Sequence, residues 1–180
     1  MDSLRIRFAE PSDAPALLDI YRPYVTDTLV TFELEPPTAE EFAGRIRDIS
    51  AFFPYIVAEL DGQVVGYAYA HSFRERAAYN WAVETSIYVS PKHHRSGIGR
   101  RLYAELEALL VKQGITCAIA CITYPNPTSI VFHESVGYTM CGKIEGCAYK
   151  LGQWCDIVFM EKQLCPLPGK AEKVRSIKAV

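Results

Sequence analysis

No apolar run in this 180-residue chain is long enough to cross a bilayer, so neither a membrane span nor a membrane partner is expected. A basic excess is missing too. Lys and Arg number 19 against 21 Asp and Glu, a formal net charge of −2, and a nucleic-acid binder would ordinarily carry a basic field. Nucleic acid is therefore not an expected partner. The opening residues Met1-Asp2-Ser3-Leu4-Arg5 show no basic region followed by an apolar block, so a secretory signal is not expected and the cytoplasm is the expected location. There is no internal repeat and no low-complexity block. Metal-ligand spacing is absent as well. Cys117 and Cys121 stand four apart, but no second Cys or His pair follows at ligand distance, and no metal is expected. The six cysteines, at 117, 121, 141, 147, 155 and 165, fall mostly in apolar strand-like runs and are read as reduced, buried thiols.

What is present suits one soluble globular domain: 49% apolar and 22% charged residues. Leu4 to Phe8 alternates as a first strand. Ser12 or Asp13 can cap a helix that tolerates Pro15 in its first turn and places Leu17, Leu18, Ile20 and Tyr21 on an apolar face. Thr28 to Phe32 reads as extended. Thr38-Ala39-Glu40-Glu41 is a capping box ahead of Phe42, Ile46 and Ile49 at helical spacing. Tyr55 to Leu60 and Gln63 to Ala70 flank Asp61-Gly62, a hairpin signature. Trp81 to Val89 is a strand, Gly99 to Lys112 a helix stopped by Gly114, and Ala118 to Thr123 a buried strand. A short helix runs from about Ser129 to Ser135, and Tyr138 to Ala148 and Trp154 to Lys162 close the order β-α-α-β-β-β-α-β-α-β-β. This predicts an α+β fold, a mixed, mostly antiparallel sheet with helices on both faces, in one domain over 1–164. Residues 165–180, polar and containing Pro and Gly, read as a loosely held tail.

The most informative stretch runs from Glu84 to Leu102: a β-branched strand, a basic loop, Gly97-Ile98-Gly99, then a helix. A helix start exposes unpaired N–H groups at the positive end of its dipole, and glycines let backbone close around an anion. Gly-x-Gly alone serves a structural turn equally well. Two nucleotide signatures are excluded: Leu102 stands where a dinucleotide fold would need a third glycine, and no Gly-Lys-Ser/Thr follows. Arg95, Arg100 and Arg101 add cationic donors to what reads as a pyrophosphate cradle of another kind.

His94-Arg95-Ser96-Gly97-Ile98-Gly99 resembles the acetyl-CoA motif Gln/Arg-x-x-Gly-x-Gly/Ala of the GNAT acyltransferase superfamily, with His94 in place of the usual Gln or Arg. Four further segments narrow the resemblance to the phosphinothricin and methionine sulfoximine N-acetyltransferase group: Trp81 to Ser90, Pro125-Asn126-Pro127-x-Ser129, His133-Glu134-x-x-Gly137-Tyr138, and Tyr149-Lys150-x-Gly152-x-Trp154-x-Asp156. The similarity runs from Ile6 to about Leu164. It implies a homodimer, acetyl-CoA as donor, and a small amino acid analogue as acceptor. Another small amine or a protein N-terminus is the alternative acceptor, and a non-catalytic acetyl-CoA sensor is the alternative outside catalysis.

Attack on a thioester needs a neutral amine, and an α-amino group titrates near pH 8, so a base is required. Glu84 stands in an otherwise apolar strand and shares a face with Ser86 and Tyr88. From the strand alone a solvated or salt-bridged carboxylate fits as well as a base; the resemblance favours the base. It also implies a carbonyl held against backbone N–H groups of Ile87, Tyr88 and Val89, and His133 at the sulfur as acid or relay, where many relatives have Tyr. Packing alone would also explain His133 on its amphipathic helix. Asn126, which suits a Pro-Asn-Pro turn in any case, is implied to hold the pantetheine arm. Arg74 and Arg76, with Tyr79, form a candidate clamp for acceptor anions, although Arg-Glu-Arg also suits a solvated loop. Phe32 matches an aromatic set against the acceptor. Tyr149, Lys150, Trp154 and Asp156 belong to the pocket, to the dimer contact, or to the framework.

Overall fold

The computed structural model describes residues 4–180; Met1, Asp2 and Ser3 of the opening segment lie outside it. Strand β1 (Leu4–Phe8) leads into helices α1 (Ala14–Thr26) and α2 (Ala39–Ser50). Strands β2 (Tyr55–Leu60), β3 (Gln63–Ser72) and β4 (Ala82–Val89) follow, then helix α3 (Ile98–Gln113) and strand β5 (Cys117–Tyr124). Helix α4 (Pro127–Ser135) and strands β6 (Thr139–Lys150) and β7 (Gln153–Gln163) complete the order. The local reasons are visible. Asp61 and Gly62 both take positive φ, 49° and 81°, as the two-residue turn between β2 and β3 requires. Thr38 Oγ1 accepts from the Glu41 N–H at 3.2 Å while Glu41 accepts from the Thr38 N–H at 2.7 Å, closing the capping box of α2.

The seven strands lie in the order β1-β2-β3-β4-β5-β7-β6. Only β4 and β5 run parallel. One apolar cluster joins α1 and α2 to one face through Leu17, Tyr21, Phe42, Ile46, Val57 and Tyr67. Another joins α3 to the opposite face through Leu102, Leu106, Leu110, Ala118, Ala120 and Val158. The α+β fold with helices on both faces is as expected.

Three expectations need correction. Residues 28–32 form no strand. Instead their polar groups are met by side chains: Thr28 Oγ1 donates to the Tyr24 carbonyl at 2.7 Å, Tyr21 and Thr31 share a hydroxyl–hydroxyl bond of 2.7 Å, and Lys150 Nζ donates to the Thr31 carbonyl at 2.6 Å. The cysteines are free but not collectively buried: Cys155 is buried, while Cys121, Cys141 and Cys147 are exposed. Cys141 and Cys147 lie on the edge strand β6, and Cys121 lines the cleft where β4 and β5 part.

The segment after Cys165 is pinned rather than loose. The indole of Trp81 donates to the Glu172 carbonyl at 2.7 Å. The buried Gln113 amide donates to the Phe52 and Arg175 carbonyls at 2.8 and 2.7 Å. Arg175 N–H returns a bond to the Gln113 carbonyl at 2.9 Å, and Val174 and Ile177 are buried. A polar segment with isolated apolar anchors has no periodicity to announce such docking.

Candidate active site

The site arises where the parallel pair comes apart. Pairing between β4 and β5 covers only Ala82–Glu84 against Cys117–Ile119. Beyond it β4 stays with β3 and β5 stays with β7, so the strands diverge. The opening is a cleft bordered by Thr85, Ser86, Ile87 and Tyr88 of β4 and by Ala120, Cys121 and Ile122 of β5. Val30, Tyr103, Asn126, Ser129 and His133 complete its wall. The carbonyl of Val89 accepts from the Tyr24 hydroxyl at 2.6 Å and contacts His94 Nε2 at 3.0 Å. It therefore points away from β3. The two-residue period of a strand puts the N–H of Ile87 on that same open edge.

One end of the cleft meets the start of α3. Gly97 caps this helix in the left-handed region, φ 82°, with no side-chain cap bond. The first backbone bond of the turn is from Arg101 N–H to the Gly97 carbonyl, 3.2 Å, which leaves the N–H groups of Ile98, Gly99 and Arg100 without a helical partner. Ser96 Oγ is turned to the His93 carbonyl and does not cap them. A Cβ on Gly99 would lie 3.2 Å from the Phe132 ring. The uncapped start of a sixteen-residue helix fits a phosphate.

The other predicted cradle residues divide. Arg95 is exposed at φ 62°. Arg100 donates to the Ser135 carbonyl and Oγ, both at 3.1 Å, and so ties α3 to the end of α4. His94 is occupied elsewhere: its N–H bonds the Pro91 carbonyl at 3.4 Å and its imidazole packs on the Val89 carbonyl and the Tyr24 hydroxyl. It builds the loop and stands apart from the cradle.

Glu84 is the last residue of β4 paired to β5, so it marks the vertex of the opening. It is half-buried. Cys121, across the gap, feels the charges of both Glu84 and Arg74. Burial first, then the Glu84 carboxylate, push its thiol up to about 11, which keeps it from competing as a nucleophile at neutral pH. Arg74 is exposed, folded over the Phe73 ring at 4.0 Å. Arg76, Tyr79 and Phe32, like Glu84 and Arg74, are not on the cleft wall; Val30 is the residue of the loop between α1 and α2 that reaches it. Asn126 caps α4, its Oδ1 accepting from Ser129 N–H at 3.1 Å, and also lines the cleft.

His133 is 3% exposed. Its Nδ1 lies 2.8 Å from the Ser129 carbonyl and must carry the proton there, so Nε2 accepts from the Tyr103 hydroxyl at 2.9 Å. Tyr103 reaches Thr85 in turn, at 3.3 Å. Tyr103 was not legible as a site residue, since on α3 it reads as one more apolar position. Burial pushes the imidazole below its ordinary value of 6.5. The unfolded chain then takes up a proton that the folded chain resists. This contribution to stability is complete above about pH 6.5 and is lost as pH falls through the lower folded value. Calorimetric unfolding between about pH 8 and pH 5 should show the loss, and His133→Gln should flatten it.

Residues 6–159 match the family described as Acetyltransferase (GNAT) domain. The chain belongs to the GNAT acetyltransferase family. It is 36% identical over 174 residues to a phosphinothricin N-acetyltransferase of Streptomyces viridochromogenes, covering 97% of this chain and 94% of the relative. It is 32% identical over 162 residues to the L-methionine sulfoximine/L-methionine sulfone acetyltransferase of Salmonella typhimurium, covering 89% and 95%. Among solved structures, a GNAT superfamily phosphinothricin acetyltransferase from Sinorhizobium meliloti, crystallised with AcCoA, superposes with a TM-score of 0.86 at 36% identity, covering 92% of this chain and 94% of that one. The chain is thus an acetyl-CoA-dependent GNAT enzyme. Among the described residues no helix is long and apolar enough to cross a membrane.

Proposed function

We propose that this enzyme acetylates the α-amino group of a small amino acid analogue of the phosphinothricin, methionine sulfoximine or methionine sulfone type, by direct attack of the amine on the thioester. The observation that carries the reading is the position of Glu84 at the vertex where β4 and β5 part, with Cys121 and Arg74 beside it. Acetyl-CoA supplies a thioester carbonyl open to an amine. The N–H groups of Ile98, Gly99 and Arg100 hold the diphosphate, and Asn126 borders the pantetheine path. Glu84 takes the proton from the attacking amine, directly or through a water, as the N–C bond forms and the C–S bond breaks. The Ile87 N–H, on the open edge of β4, faces the negative charge that develops on the carbonyl oxygen. The Tyr103–His133 pair is the protic group of the cleft wall and returns a proton to the departing thiolate. Arg74 attracts the carboxylate of the acceptor and disfavours polyamines, whose charge it repels.

A thiol-release assay with acetyl-CoA and a panel of methionine sulfone, phosphinothricin, a peptide with a free N-terminus and spermidine tests this. The amino acid analogues should exceed the others in kcat/KM. Spermidine or the peptide exceeding every analogue rules the acceptor assignment out.

The enzyme acts as a homodimer in the cytoplasm. Strand β6 ends the sheet, and Met140, Ile144, Tyr149, Leu151 and Trp154 are exposed on the β6–β7 pair, Trp154 at 70%. Exposed apolar side chains beside an open strand edge suit an association surface. Six free thiols suit a reducing compartment. Sedimentation should give twice the monomer mass, and Trp154→Glu should shift it to monomer at micromolar concentration.

A further inference from the structure

A second recess lies on the same face of the sheet as Glu84, and the reaction described above makes no use of it. It lies beneath α1 and α2, against β2 and β3, and Tyr21, Tyr55, Tyr67, Tyr69, Glu33 and Arg45 form most of its wall. Tyr55 stacks on Tyr69 at 4.7 Å and on Tyr67 at 5.9 Å. Tyr55 and Tyr67 are 2% and 1% exposed, and both line the recess. Burial pushes both hydroxyls well above the ordinary phenol range, so both present protons at neutral pH. Glu33 and Arg45 pair across the wall, which makes the recess polar without net charge.

The register of β3 and β4 places Tyr69 opposite Ser86 and His71 opposite Glu84. Tyr67, Tyr69 and His71 therefore share a face with Glu84, Ser86 and Tyr88, and Tyr69 is the diagonal neighbour of Glu84, at about 7–8 Å in a regular ladder. An acceptor whose amine meets Glu84 has a short unbranched side chain long enough to pass Tyr69. The geometry points to this recess as the pocket for the acceptor's side chain, selecting an uncharged, hydrogen-bond-accepting end group such as a sulfone or sulfoximine over an anionic phosphinate. The inference rests on the amino acid acceptor proposed above and divides that class. Sulfone oxygens receive the Tyr55 and Tyr67 protons. A phosphinate meets Arg45 already neutralised by Glu33 and remains uncompensated.

The test compares kcat/KM for methionine sulfone and phosphinothricin in the wild type, Tyr67→Phe and Glu33→Gln. Tyr67→Phe removes one donor without changing shape. It should raise KM for methionine sulfone about fivefold, with KM for acetyl-CoA unchanged. Glu33→Gln releases Arg45 from a surface position that tolerates the change, and should move the selectivity ratio at least about fivefold toward phosphinothricin. Wild-type turnover of the analogues combined with ratios that stay within about twofold in both variants overturns the pocket alone, even if Tyr67→Phe shifts the melting temperature. A wild type that turns over neither acceptor overturns the acceptor reading and the pocket with it.

Discussion

Glu84→Gln is expected to lower kcat by about 10²–10³-fold while leaving the KM for acetyl-CoA close to that of the wild type, the ordinary yield of a positioned general base. That loss corresponds to about 3–4 kcal/mol of activation free energy. Gln preserves the size of the side chain at the last paired residue of β4, so the strand and the cleft are retained. Only proton acceptance disappears. The acceptor's α-amine titrates near pH 8, so raising the pH should recover part of the lost rate in the variant, because solvent then performs the deprotonation. A variant within about threefold of the wild type at pH 7 would falsify the role of Glu84 as base.

Gly99→Val is expected to weaken coenzyme A binding by about 30-fold or more, read by titration calorimetry. The Cβ of any larger residue would lie 3.2 Å from Phe132 Cε2 and 3.5 Å from Ile87 Cδ1. Phe132 cannot retreat freely, since it packs on Tyr103 and His133 at centroid distances of 5.4 and 5.2 Å. The branched side chain must push the first turn of α3 away from β4 and α4, at about 1–3 kcal/mol for overpacking of this kind. It displaces the three N–H groups that the diphosphate needs. Affinity should suffer more than thermal stability, because the helix beyond Arg101 is held by Leu102, Leu106 and Leu110, all fully buried. Unchanged affinity in a folded variant removes the α3 start from the binding site.

Of the residues the resemblance points to, His133 and Asn126 line the cleft and Glu84 stands at its vertex, while others depend on where a loop folds. Arg76 and Tyr79, which the sequence offers as part of an anion clamp, sit in a segment exposed from Arg74 to Asn80 and off the cleft wall. His94 occupies a motif position, yet its imidazole is held by Val89 and Tyr24, and Tyr24 lies 70 residues away in the chain. Tyr103 escaped notice for a related reason. Its hydroxyl partners are Thr85 and His133, 18 and 30 residues distant, and no local pattern brings those three together.

Sequence alone determined the parts of this protein that follow from short-range physics. The Thr38 capping box, the Asp61-Gly62 turn, the Gly114 stop and the strand and helix periods each involve neighbours within a few residues, where propensity and hydrogen bonding act without tertiary help. The tertiary structure alone decided that residues 28–32 are a loop tied down by Lys150, 119 residues away from Thr31. It likewise decided that the terminal segment docks on Gln113, that His133 is locked by Tyr103, and that the tyrosines of β2 and β3 leave a recess near Glu84. Each of these is a contact between distant parts of the chain, and its free energy appears only when the sheet and both helical layers have closed around it.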